Sequence, residues 1–163
     1  MKKIMIFIAA LCVVTAAGAL YASTSAAKVS ATGAQEYTLT VNGRAVQVNT
    51  AEQMPFEHKG TVMVPLRATA ESLGYEVSWI AVEKAVRVED RIQSVLLKQG
   101  STQAKFTGKL KVINLNQDVE LPVPVQSRKG IMYVPTAFFE PFFNEVVIKE
   151  GNISISAQMS SIQ

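Results

Sequence analysis

Slid along itself by 70 residues, the chain lays "GTVMVPLRATAESLGYEV" over "GIMYVPTAFFEPFFNEVV". Gly60 falls on Gly130, Val64-Pro65 on Val134-Pro135, and Val77 on Val147. A shift of 65 residues lays "LTVNGRAVQV" over "AKFTGKLKVI", with Gly43 on Gly108, and "NISIS" then takes the place of "KAVRV". This two-copy internal repeat restricts the fold more than any single motif does. About 60 residues make a marginal core alone, so the copies are expected to share one interior.

The first copy is read element by element. Asn42-Gly43 lies between two alternating runs and predicts a hairpin, because both central residues of such a turn need positive φ. Leu39, Val41, Val46 and Val48 are its inward candidates. His58-Lys59-Gly60 reads as a turn and Thr61 to Val64 as a β-branched strand. Pro65 suits the first position of a helix. Leu66, Ala70 and Leu73 share one helical face, and Gly74 supplies a left-handed C-terminal cap. "YEVSW" puts Tyr75, Val77 and Trp79 on one face of a strand, and "KAVRVED" pairs against it through Val86 and Val88. The expected fold is α+β: two degenerate repeats of hairpin, strand, helix and two strands, with antiparallel sheets each packed by a short helix, over residues 36–157.

The ends read differently. Met1-Lys2-Lys3, an apolar run to Leu20 and the small residues after it have the layout of a secretory signal peptide over 1–22, with cleavage after Ala22 or Ala27, or of an uncleaved anchor. Cys12, the only cysteine, lies inside the apolar run behind Leu11, which does not suit lipidation. Residues 23–35 read as a flexible linker and 158–163 as a tail. The expected location is outside the cell or on its surface. The chain has 16 Lys+Arg against 13 Asp+Glu. Without Lys2 and Lys3 the balance is 14 − 13 = +1, so the charge does not argue for nucleic acid. Removal of the segment carrying Cys12 leaves no cysteine, so the exported chain must rely on a packed core.

Several residues are site-like, each with a plainer structural role. Arg67 and Glu71, four apart on a helix, share a face: Arg67 either fixes an anionic ligand near the helix start or caps loop carbonyls and pairs with Glu71. Trp79 is expected in the core, the other reading being a sugar-stacking platform. His58 is expected to be a solvated turn histidine. Lys105, Lys109 and Lys111 read as the wet face of a hairpin or as a contact for anionic wall polymers. Phe138, Phe139, Phe142 and Phe143 form a wide aromatic stripe interrupted by Pro141. It is either core or, through Phe138, Phe142 and Phe143, an exposed patch for a partner or a second copy of the chain.

Taken together, "VNGR", "VPLRATAESLGYEVSW" and the second "G…YVP" block resemble the copper amine oxidase N-terminal-like domain, or stalk domain, of exported Gram-positive bacterial proteins. The motif positions are Gly60, Pro65, Arg67, Glu71, Gly74 and Trp79, with Gly130 and Pro135 in the second block. That block is degenerate: Arg67, Glu71, Gly74 and Trp79 have Ala137, Pro141, Asn144 and Lys149 as counterparts. The resemblance implies a non-catalytic module remote from copper and quinone. The residues agree, since a copper site of that kind needs several imidazoles and His58 is the only histidine. Tyr37, Tyr75 and Tyr133 have no histidine near them in sequence. No catalytic residue, metal ligand or cofactor is expected. The expected partners are a cell-envelope protein, a wall polymer or a second copy of the chain, with no nucleic acid, and a membrane only through an uncleaved N-terminus. A surface scaffold predicts buried Trp79 and a solvent-facing strip near Phe142. A wall-glycan or anionic-polymer binder predicts exposed aromatics or clustered lysines along one groove.

Overall fold

The computed structural model describes residues 36–47 and 53–158. The signal peptide, the linker, Val48 and nearly all of the tail lie outside them. The chain begins with β1 (Thr38–Val41) and β2 (Arg44–Ala45), joined through Asn42 (φ 49°) and Gly43 (φ 74°). Both turn residues are left-handed, as an Asn-Gly hairpin requires. Then come β3 (Phe56–His58), β4 (Thr61–Pro65), α1 (Leu66–Ser72), β5 (Glu76–Ile80) and β6 (Ala85–Glu89). They are followed by β7 (Gln93–Leu97), β8 (Gln103–Gly108) and β9 (Gln117–Glu120). The chain continues with β10 (Gln126–Arg128), β11 (Ile131–Pro135), a 3-10 helix (Thr136–Phe142), β12 (Asn144–Lys149) and β13 (Asn152–Ala157). The described residues are therefore mostly β, with two short helices.

Three sheets result, in the orders β10-β11-β4-β3, β12-β13-β1-β2 and β5-β6-β7-β8-β9. In the first, β4 pairs antiparallel with β11: Tyr133 faces Pro65, Val134 faces Val64 and Pro135 faces Met63. Adding 70 to one member of this register and subtracting it from the other returns the same register. The turns Lys59-Gly60 and Lys129-Gly130 flank it with matching left-handed φ values of 50°, 76° and 49°, 80°. Met63, Val64, Tyr133 and Val134 are buried. Leu66 and Val134 lie in one apolar cluster with Phe138, Phe139, Ile153 and Ile155, and Leu73 packs against it.

The structure departs from expectation at four places. Pairing of β1 with β13 is parallel, so the sheets are not wholly antiparallel. The N-terminal strand thereby closes onto the C-terminal one. Pro65 is not the first helical residue but the last of β4, with ψ at 115°. Gly108 ends β8 without positive φ, and residues 109–116 form a loop before β9, so the copy of the Asn-Gly hairpin does not close there. Finally, the second helix is 3-10 rather than α. Pro141 lies inside it, lacks an N–H and crowds the carbonyl four residues back, which disfavours α geometry.

The two helix ends differ for the same reason. After α1, Gly74 N–H bonds to the Glu71 carbonyl (3.0 Å) and Tyr75 N–H to the Ala70 carbonyl (2.9 Å), a Schellman cap with Gly74 left-handed at φ +83°. After the 3-10 helix the left-handed residue is Phe143 (φ 61°), one position earlier than the repeat predicts, and Asn144 starts β12. Its side chain is buried and donates to the Phe139 carbonyl (2.9 Å) and the Tyr75 hydroxyl (2.8 Å). Gln93, fully buried on β7, donates to the Pro141 carbonyl at 2.8 Å. Two polar side chains thus tie the first half to the second.

Aromatic rings fill the space between. Phe138 lies 5.1 Å from Phe139, 5.7 Å from Phe142 and 6.1 Å from Phe106, while Phe142 stacks on Tyr75 at 4.9 Å. Phe138→Ala is expected to cost about 3–5 kcal/mol, read in urea melts, because a ring this enclosed leaves a cavity that neighbours cannot refill. Gly74→Ala is expected to cost about 1 kcal/mol through its left-handed φ alone, since open space surrounds that position.

Candidate functional site

The side chains of β5 decide where a surface site can form. Val77 and Trp79 stand opposite Val88 and Val86 on β6, so all four share one face of the sheet, the face that turns Val86 and Val88 into the core. But β5 is an edge strand, and its far end overhangs the packed interior. Trp79 therefore points inward by parity yet is 56% exposed. This corrects its expected place in the core: the period-2 reading of the strand holds, but the sheet edge lies beyond the core.

Under that overhang lies a groove of about 1080 Å³, slightly above the usual size range for ligand pockets. Its apolar lining comes from Val77 and Trp79 on β5, Leu66 on α1 and Met132 on β11. The polar rim comes from Arg44, Gln47, Gln53, Gln99, Arg67 and Glu71. Arg67 makes two contacts. One guanidinium nitrogen lies 3.0 Å from a Glu71 carboxylate oxygen and donates to the Val77 carbonyl, also at 3.0 Å. It pins α1 to the edge of β5. Both partners of the ion pair are more than half exposed, so the pair itself adds no more than about 1 kcal/mol.

The proposed contact residues divide. Phe138 and Phe142 are buried, Phe142 at 4% exposure, so they are core and not an interaction surface. Phe138 and Phe142, standing where the first block has Ala68 and Ser72, pack against Phe106 and Tyr75. Phe143, left-handed at the helix end, is 50% exposed but alone of its stripe. The lysines do not form one free cluster. Lys105 stands opposite Asp118 on β9, and Lys109 pairs with Glu89 at 3.0 Å and donates to the Asp90 carbonyl at 2.7 Å. Lys111 lies on loop 109–116, beside exposed Leu110, Val112 and Ile113. Among the motif positions, Gly60 and Gly130 make turns, and Pro65 and Pro135 end the two paired strands.

No group of three or more His, Cys, Asp or Glu side chains suited to a metal occurs among the described residues. None of the described helices is long and apolar enough to cross a membrane. Tyr75 is pushed above its ordinary value of 10.0 chiefly by burial, with Asp90's charge adding and the Asn144 hydrogen bond opposing. Tyr37 shifts the same way, through burial and its hydrogen bond to Glu57. The polar bridges of Gln93 and Asn144 left no signal in the sequence beyond Asn144 standing where the first copy has Gly74.

Two outcomes follow. The folded state favours the protonated phenols, so their contribution is complete below pH 10 and is lost as pH rises through the raised folded values. Stability measured by denaturant melts is expected to fall above pH 10, less steeply in Tyr75→Phe. Trp79, the only tryptophan, is expected to be quenched by acrylamide in the folded protein and shielded by any ligand that fills the groove.

A protein of Brevibacillus choshinensis named a protease inhibitor is 30% identical over 139 residues, covering 82% of this chain. The chain spans 39% of the length of that relative. No solved structure matches. Residues 40–156, well over half the chain, match the sequence pattern of the copper amine oxidase N-terminal domain. On that match the chain belongs to the copper amine oxidase N-terminal domain family, whose members are non-catalytic domains.

Proposed function

We propose that the chain is an exported, non-catalytic interaction module of the cell surface, built from two degenerate copies of one hairpin–strand–helix–two-strand unit, and that it works through the Trp79 groove. The observation carrying this reading is the exposed tryptophan over an apolar floor with an amide-rich rim, which replaces the buried Trp79 and the solvent-facing Phe142 strip expected of a surface scaffold. Aromatic side chains spend little entropy on ordering and are favoured as binding anchors. A side chain this large, left half in water beside a cavity, favours a ligand site over a purely structural brace. The family match supports a binding rather than a catalytic role. The relative named a protease inhibitor supports a protein as the partner. The N-terminal charge and apolar run support export.

A wall glycan in the same groove is the second reading. It is favoured by the exposure of Trp79, which suits stacking on a sugar ring, and by the neutral amides Gln47, Gln53 and Gln99 on the rim. Anionic wall polymers are less well supported, because Lys105 and Lys109 face acidic neighbours.

The test is retention of the purified chain on isolated cell wall and on extracted envelope proteins, at low and high salt, beside Trp79→Ala. Binding to either material that falls about tenfold in Trp79→Ala, at unchanged Tm, is the expected result. Wild-type and Trp79→Ala retention that do not differ would contradict a role for the groove. Loss with salt alone would point to the lysines instead.

A further inference from the structure

Resting on the groove reading above, we propose that the groove takes an extended polypeptide segment, which pairs as an added strand along the outer edge of β5. The segment places alternate apolar side chains on the groove floor and a carboxylate at Arg44.

The main chain of β5 carries the first part. The strand is bonded on one side only, to β6, and its other edge faces the groove. The Val77 carbonyl points off that edge, since Arg67 reaches it there. Residues two apart on a strand direct their main-chain groups to the same side, so the N–H and carbonyl of Trp79 face the groove as well. Arg67's bond occupies one acceptor of this edge. The Val77 carbonyl keeps a second lone pair beside it. What the edge offers is a row of donors and acceptors repeating at about 6.6 Å, two residues of strand rise. A polypeptide main chain matches that repeat, and this mode of recognition draws its affinity from the main chain and its specificity from pockets for alternate side chains. Sugar hydroxyls satisfy single polar groups on the rim but do not supply the repeat.

The rim carries the second part. Glu71 neutralises Arg67 at 3.0 Å. Arg44, on the edge strand β2 that lines the same groove, has no acidic partner among the described residues. A carboxylate on the incoming segment complements it. Leu66, Val77, Trp79 and Met132 then receive the apolar side chains.

The experiment pans a displayed library of short random peptides on the full chain. Selected peptides are then resynthesised with main-chain N-methyl groups at one position at a time. The expected winners alternate apolar residues and carry Asp or Glu, and they slow amide exchange at Val77 and Trp79 by about tenfold or more. N-methylation should abolish binding at alternate positions and leave it unchanged between them. Arg44→Glu should weaken the acidic peptides about tenfold. Peptides that lose affinity in Trp79→Ala but leave the Val77 and Trp79 amides unprotected would overturn strand pairing and leave the groove reading standing. So would a library that yields no groove binder while soluble peptidoglycan fragments shift Trp79 emission. Failure of peptides and glycan fragments alike to engage Trp79 would overturn both.

Discussion

The antiparallel meeting of β4 with β11 is the contact around which the described residues are arranged. Val64 and Val134 face each other there with no exposed surface. Each strand runs straight into its helix, so the pairing sets both helices beside one interior. Apolar burial of this kind stabilises by about 1.5–3 kcal/mol per large side chain, and neither half has enough such side chains to be well stabilised alone. The polar ties from Gln93 to Pro141 and from Tyr75 to Asn144 then fix how the halves sit, because each satisfies a buried group that would otherwise be costly. One acceptor, the Gln93 amide oxygen, has no protein partner among the described residues.

The halves differ most at their helices. The first keeps glycine at the helix end, arginine on the helix and tryptophan on the following strand. The result is a regular α-helix pinned to a sheet edge, with a groove beneath it. In the second, Asn144, Ala137 and Lys149 stand at those positions, Pro141 and phenylalanines fill the helix, and the result is a tighter 3-10 turn packed with rings. The same scaffold thus buries Phe138, Phe139 and Phe142 on one side and leaves Trp79 half in water on the other. A surface present in both copies is not what the molecule offers.

Much of the local structure was legible in the sequence. Asn42-Gly43, Lys59-Gly60 and Gly74 dictate their turns through positive φ, which few other residues tolerate. The spacing of Leu66, Ala70 and Leu73 located α1, and alternation located β5 and β6. What was not legible depends on neighbours distant in sequence. Parity put Trp79 on the inward face correctly, but only the strand order shows that β5 is an edge and that the core stops short of it. The parallel pairing of β1 with β13 joins segments more than 100 residues apart and has no local signature. Phe138 and Phe142 could be read either way until Phe106 was found against them. The groove was invisible for the same reason, since its walls come from β2, α1, β5 and β11.

The arrangement requires that the two halves form one cooperative interior. Native-state hydrogen exchange, followed residue by residue against denaturant, tests this most directly. The account predicts that the slowest amides of β4 and β11 exchange through a single opening, with the free energy and denaturant dependence of global unfolding. Slow amides of residues 56–89 and of 126–157 that open at different free energies, with shallower dependence in one set, would contradict it.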